Sequence, residues 1–343
     1  MLYYYALLYY NINLKQINTM KKIHLISTLI GLMAFSTISK ADLKVVTSIK
    51  PIHSLASYIM DGVGSPGLIV DGYNSPHSFQ LKPSHAKMLE QADIIFWIGE
   101  DLENFLEKPL ATIAKKAEKI ELLEIKGIKK LKFRERNIFE EHDDHGHDAK
   151  KEEHDDHGHD AKKEGHDDHD DHEGHGHGEY DPHIWLDPIN AKVILNEITE
   201  HLIEDDSKNT ATYKSNLAKA LAKIDKLIID VITETNTDLS YVVFHDAYQY
   251  YENRFNVNIL GAMTVNPDVM PGAEQIHEIH EIIEHDNVSC ILSEPQFNPD
   301  IIKSIAKDTN VKTGVLDPLG ANLKPGKDLY FDLIRNMSAS FNC

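Results

Sequence analysis

The chain has 343 residues, with 55 acidic against 35 basic side chains and a formal net charge of −20 at pH 7. No basic stripe is present to bind nucleic acid, and the 41% of apolar residues is ample for two packed domains. The charge is local: residues 140–179 hold 17 Asp and Glu against 4 Lys, so −13 of it belongs to one segment.

Residues 1–19 read as neither a targeting segment nor a domain, and the pattern changes at Met20. Lys21 and Lys22 form a basic start, 23–35 is mostly apolar, and Ser39-Lys40-Ala41 puts small residues where a signal peptidase reads. This is the form of a secretory signal cleaved before Asp42, with Met20 as the start and 1–19 as an upstream extension. The alternative is an N-terminal membrane anchor, for which the run is short of the ~20 residues of a span. No cysteine stands at the cleavage point to carry a lipid anchor, and no later apolar stretch is long enough to cross a bilayer.

From residue 43 strand and helix patterns alternate. A strand is expected over 43–49, a helix over 53–61 and a short strand over 68–70. Ser84 can cap a helix running to Gln91, because its hydroxyl can accept from an orphan backbone N–H. The continuous apolar run 94–98 suits a strand covered on both faces. A helix over 101–117 and a strand over 120–125 follow.

Next, EEHDDHGHDAKK occurs twice from Glu140 and then degrades into EGHDDHDDHEGHGHGE, ending at Glu179. This tract carries His142, His145, His147, His154, His157, His159, His166, His169, His172, His175 and His177. With almost nothing to bury, it reads as a disordered insertion in the first domain. Its imidazoles and carboxylates suit loose binding of several Zn²⁺ ions, which raises their concentration near any tighter site. Ordering entropy should keep each loop site weak, and neighbouring carboxylates favour imidazolium, so acid should empty them. The alternative is a passive solvated loop.

A helix over 189–203 precedes a long one near 208–235, where Leu217, Leu221, Ile224, Ile228 and Val231 recur at helical spacing. At ~1.5 Å per residue the long helix extends about 40 Å, enough to run along both domains. Strands are then expected over 241–244, 258–260, 288–292 and 311–316, with helices near 246–255, 272–286, 299–308 and 327–340. The alternation predicts an α/β protein of two lobes, each a mostly parallel four-stranded sheet with flanking helices, joined by a long rigid helix. The boundaries are an extension and signal over 1–41, a first lobe over 42–207, a linking helix over 208–236 and a second lobe over 237–343. The two cysteines are Cys290, in a strand, and the terminal Cys343. In an exported chain they read as a disulfide tying the tail to that strand; the alternative is two free thiols.

His77, His183, His245 and Asp317 form the candidate site. In open α/β sheets, ligands bind beyond the carboxyl ends of strands. His245 and Asp317 directly follow expected strands, His77 lies in the turn after 68–70, and His183 sits just ahead of the helix from 189. A cleft between the halves could collect all four. Three imidazoles and one carboxylate suit four-coordinate zinc, whereas manganese prefers more oxygen. A closed shell of four protein ligands argues for binding rather than hydrolysis. Taken singly, a histidine before a helix is more often a cap or a satisfied polar group than a ligand, and Asp317 before Pro318 is an ordinary turn start.

The segments Pro76-His77-Ser78-Phe79-Gln80-Leu81-Lys82-Pro83-Ser84, Asp181-Pro182-His183-Ile184-Trp185-Leu186 and Val243-Phe244-His245-Asp246-Ala247-Tyr248 resemble the ligand motifs of metal-binding solute receptors of ABC transporters. Ser293-Glu294-Pro295-Gln296-Phe297 and Leu316-Asp317-Pro318-Leu319-Gly320 continue the match in order. With the His-rich insertion, the whole of 42–343 resembles the periplasmic zinc-uptake receptors. The resemblance implies a monomeric periplasmic receptor with zinc in its cleft, delivering it to an inner-membrane permease driven by a separate ATPase. It implies His77, His183 and His245 as imidazole ligands. Some zinc receptors carry a glutamate just before the first histidine; Pro76 stands there, which favours Asp317 or a water as fourth ligand. The cysteine pair also matches that subfamily.

A zinc hydrolase is the rival reading, invited by His277-Glu278-Ile279-His280-Glu281-Ile282-Ile283-Glu284-His285. The protease motif needs two histidines four apart; here the gaps are three, five and eight. No phosphate loop and no G-x-S-x-G elbow occurs. A third reading is an adhesin or a plain metal buffer.

Overall fold

The computed structural model describes residues 43–134, 138–139, 178–265, 267, 269 and 271–343. The expected signal and the histidines of the tract lie outside them. Two four-stranded sheets are present, both parallel throughout. The first has the order β2-β1-β3-β4, from β1 (Val45–Ile49), β2 (Gly67–Val70), β3 (Ile94–Trp97) and β4 (Glu118–Glu121). The second has the order β6-β5-β7-β8, from β5 (Ser240–His245), β6 (Asn258–Thr264), β7 (Cys290–Ser293) and β8 (Lys312–Val315). In each, the winding reverses between the two central strands, so the carboxyl ends of β1/β3 and of β5/β7 open topological crevices.

Sequence alternation decides which core each side chain joins. In β5, Tyr241 and Val243 enter the main core, whereas Val242 and Phe244 enter a second cluster on the other face. That second cluster is closed by α7 (Ala273–His285) and α8 (Asp300–Thr309), through Ile279, Ile282, Ile283, Ile302 and Ile305. In the first lobe, β1 and β3 are buried along their whole length, as a strand covered on both faces must be.

Several boundaries differ from expectation for physical reasons. Helix α1 (Lys50–Ile59) begins three residues before the predicted start, because Pro51 sits in its first turn, where a missing N–H costs nothing. Helix α2 (Pro83–Glu90) is not capped by Ser84, which lies inside its first turn; instead His85 Nδ1 accepts the Lys82 N–H at 3.2 Å. Helix α3 (Glu100–Thr112) ends before the predicted 117. Strand β6 continues through Gly261 to Thr264, paired with β5 across an irregularity at Tyr241/Val242.

Helices α4 (Pro188–Asp205) and α5 (Thr210–Glu234) pack side by side, and α5 spans about 37 Å at ~1.5 Å per residue. The last helix, α9 (Leu329–Ser340), leaves the second sheet and packs on α1 and α5. Tyr330 N donates to Ser54 Oγ at 2.9 Å. The tail then returns: Phe341 stacks among Tyr241, Tyr248 and Tyr251, and Cys343 is disulfide-bonded to Cys290. Further links join the halves. Buried Lys50 donates to Ala321 O and Leu323 O at 3.0 and 2.7 Å. Arg254, on α6 (Gln249–Phe255), grips both carboxylate oxygens of Asp187 at 2.7 and 2.8 Å.

Helix α3 breaks its own geometry at Glu103 (φ −122°, ψ 47°). There the side chain turns inward, and Oε2 accepts from Ile98 N at 2.7 Å and Gly99 N at 3.2 Å. The Ser48 hydroxyl also interacts with this carboxyl. Burial pushes this carboxyl up from 4.5 to about 7, against the pull of the Ser48 hydroxyl and the two backbone donors. The folded state therefore holds the proton more tightly than the unfolded one, and the contribution is complete below pH 4.5 and lost as pH rises through about 7. Glu103→Gln keeps an acceptor for both N–H groups and removes the ionisation. The variant should match the parent near pH 4.5 and exceed it in stability above pH 7, by on the order of 3 kcal/mol at most. Thermal unfolding of the two metal-free proteins across that range measures the difference.

Candidate metal centre

Three of the four expected residues meet in the cleft. His77 follows β2, in a turn where its N–H donates to Ser75 Oγ at 3.2 Å. His183 stands at the entry to the short 3-10 turn Ile184–Leu186, and His245 is the last residue of β5. Their ligand atoms all lie within 4.8 Å of one another. The ring centroids form a near-equilateral triangle with sides of 5.3, 5.6 and 5.7 Å. His183 Nε2 and His245 Nε2 are 3.4 Å apart. Two nitrogens on one tetrahedral ion, at metal–nitrogen distances of ~2.0–2.1 Å, are separated by about 3.4 Å. The buried pair is therefore already set at the bite of a bound ion.

Two carboxylates fix that setting. Asp181 Oδ1 accepts from His183 N at 2.9 Å and lies 2.7 Å from His183 Nδ1. Glu294, directly after β7, has Oε1 2.5 Å from His245 Nδ1. A proton on each Nδ1 directed at a carboxylate leaves the Nε2 lone pair facing the centre, the tautomer a metal requires. Neither role was assigned from the sequence. The usable signal was positional: Asp181 is two residues before His183, and Glu294 ends the strand neighbouring β5.

The electrostatics follow from burial. His183 is held well below its ordinary value, by desolvation first and then by His245. Burial also works against a charge on His245, but the Glu294 carboxylate together with Asp246 and Asp181 outweighs it and raises that imidazole. Asp181 is pushed up to about 7 and Asp246 to about 6, both chiefly by desolvation. Arg134 offsets part of this buried charge, bonding Asp246 at 3.0 Å and Glu252 at 2.5 Å and stacking on Phe139.

Asp317 is not brought into the histidine group. Its Oδ1 accepts from Leu319 N, Gly320 N and Gln296 Nε2 at 3.0, 2.9 and 2.9 Å, and its Oδ2 from Ala321 N at 2.5 Å. Each of its oxygens is thus engaged in a tight turn, which Gly320 completes with φ +70°. The turn still serves the pocket, because Pro318 and Leu319 line it. Pro318 O also accepts the Trp185 indole N–H at 2.8 Å. Among the described residues, the three histidines are the one group of three or more metal-ligating side chains. The rival α7 histidines lie outside it, with His277 exposed.

The profile of the family described as zinc-uptake complex component A, periplasmic, matches residues 45–342. The high-affinity zinc uptake system protein ZnuA of Brucella abortus (strain 2308) is 47% identical over 300 residues, covering 86% of this chain and 90% of the relative. A crystal structure of ZnuA shares the fold at TM-score 0.66 and 20% identity, over 88% of this chain and 100% of that one. A mutant of the laminin-binding adhesin Lmb from Streptococcus agalactiae shares it at TM-score 0.67 and 21% identity, over 88% and 98%.

Glu294→Ala should weaken divalent-metal binding about 10–100-fold, since it frees the His245 ring without removing a ligand. Glu294→Gln should lie between, as its amide oxygen can still accept from Nδ1. Competitive titration against a chromophoric chelator ranks the three proteins.

Proposed function

The chain belongs to the family of periplasmic zinc-uptake component A proteins, and on that premise we propose that it is a high-affinity receptor that takes Zn²⁺ into its cleft and delivers it to an ABC-type importer. The observation that carries this reading is the three-imidazole cluster, with His183 and His245 already 3.4 Å apart. Neutral imidazoles are borderline-soft donors that suit zinc and leave oxygen-preferring manganese poorly served. His77, His183 and His245 are the ligands in this proposal. Asp317 acts through the turn it holds, and a water takes the fourth position.

The family is one of solute-binding receptors, and the centre supports binding over hydrolysis. A metal-bound water becomes a useful nucleophile when a neighbouring base can take its proton. Asp181 and Glu294 are both committed to imidazoles. The likeness to an adhesin extends to the fold alone.

His77 and His183 belong to the first lobe, and His245 to the second. Any displacement of one lobe against the other splits the ligand set, so a permease that grips both lobes gains a route to release. The separate ATPase supplies the work. A secretory signal ending before Asp42 places the receptor in the periplasm. The histidines of 140–179 serve as a loose reservoir around the cleft.

A competitive zinc titration of residues 42–343, with and without 140–179, tests the proposal. One tight zinc should persist after the deletion while the total stoichiometry falls. His245→Ala should weaken that tight site by more than about 100-fold, since losing a ligand exceeds losing its orienting partner. A deletion without any tight site would make the protein a metal buffer.

A further inference from the structure

Helix α7 carries metal-ligating side chains that the cleft does not use. Ile279, Ile282 and Ile283 are buried against the second sheet, which turns the opposite face outward. Glu274, His277, Glu278, Glu281 and Glu284 are all exposed there. No Lys or Arg occurs between Ala273 and Asp286, so the face presents a negative field to cations.

Two histidines four apart are absent, but histidine and glutamate four apart occur twice, at His277/Glu281 and His280/Glu284. Residues at that spacing share one helical face, one turn apart. In the first pair, His277 Nε2 stands 3.5 Å from Glu281 Oε1. With metal–nitrogen and metal–oxygen distances of ~2.0–2.2 Å, a tetrahedral ion needs its two donors about 3.4 Å apart. The separation of the two donor atoms already matches that of a chelating pair.

We propose that His277 and Glu281 form a second, solvent-facing site for a divalent transition ion, Zn²⁺ in the first instance. The ion is held by one imidazole nitrogen and one carboxylate oxygen, with water completing its shell. Two protein donors make it a weaker and faster-exchanging site than the three-histidine centre.

The test uses the full chain with nitrogen-labelled histidine, followed by imidazole NMR during a zinc titration. His277→Gln identifies the His277 signal. After the cleft has filled, the His277 signal should shift saturably, and a chelator should reverse the shift. Glu281→Gln should raise the zinc concentration at the midpoint on the order of tenfold. His245→Ala should weaken cleft binding and leave the His277 response in place, which separates this site from the receptor reading. An unmoved His277 signal at excess zinc would overturn the proposal. So would an unchanged midpoint in Glu281→Gln, or loss of the response in His245→Ala.

Discussion

The centre depends on two imidazoles whose outer nitrogens are each tied to a buried carboxylate. Free to rotate, His183 and His245 would turn both nitrogens through several environments, and their mutual repulsion on protonation would drive them apart. Asp181 and Glu294 remove that freedom and select the tautomer at the same time. The cost is charge. Asp181 and Glu294 are paired with the two histidines, Asp246 adjoins His245, and Arg134 bonds Asp246 and Glu252. Such a cluster is short of positive charge, and burial separately lifts Asp181 and Asp246 towards neutrality by desolvation. A dication at the centre meets that shortage directly, which is why a site of neutral donors can favour a doubly charged ion.

The fold delivers these groups through its topology. Glu294 and His245 end neighbouring strands β7 and β5, where the winding of the second sheet reverses, so the pair bridges the crevice itself. The first lobe contributes His77 from the turn after β2 and His183 from the segment leading into α4. The turn at 317–321 then braces the join. It belongs to the second lobe by sequence, yet Trp185 and Lys50 of the first lobe hold its carbonyls.

Much of this was legible in the chain. Eight strands in two parallel sheets and the long helix follow from alternation and helical periodicity; the grouping of His77, His183 and His245 rested on the segments that resemble the ligand motifs of metal receptors. What was not legible has identifiable causes. Pro51 reads as a breaker but starts α1. Gly261 reads as a strand end, yet β6 runs on through it because Val242 and Val243 of β5 supply partners. Asp317 has the composition of a ligand and the position of one, but three backbone N–H groups of its own turn claim its oxygens. Glu294 and Asp181 were invisible for the converse reason: their role is set by a partner 49 residues away in one case and by burial in the other.

The path of α9 has a consequence for how the molecule comes into being. This helix packs against α1 and α5, so the first lobe lacks part of its covering until Leu329–Ser340 has been made. The first half, although it has its own sheet, is thus incomplete without the end of the chain. Contacts such as Tyr330 to Ser54 join residues separated by 276 positions, and closure on that scale is slow. A chain built this way stays unfinished while it is being synthesised, and commits to its final shape once both ends are present together.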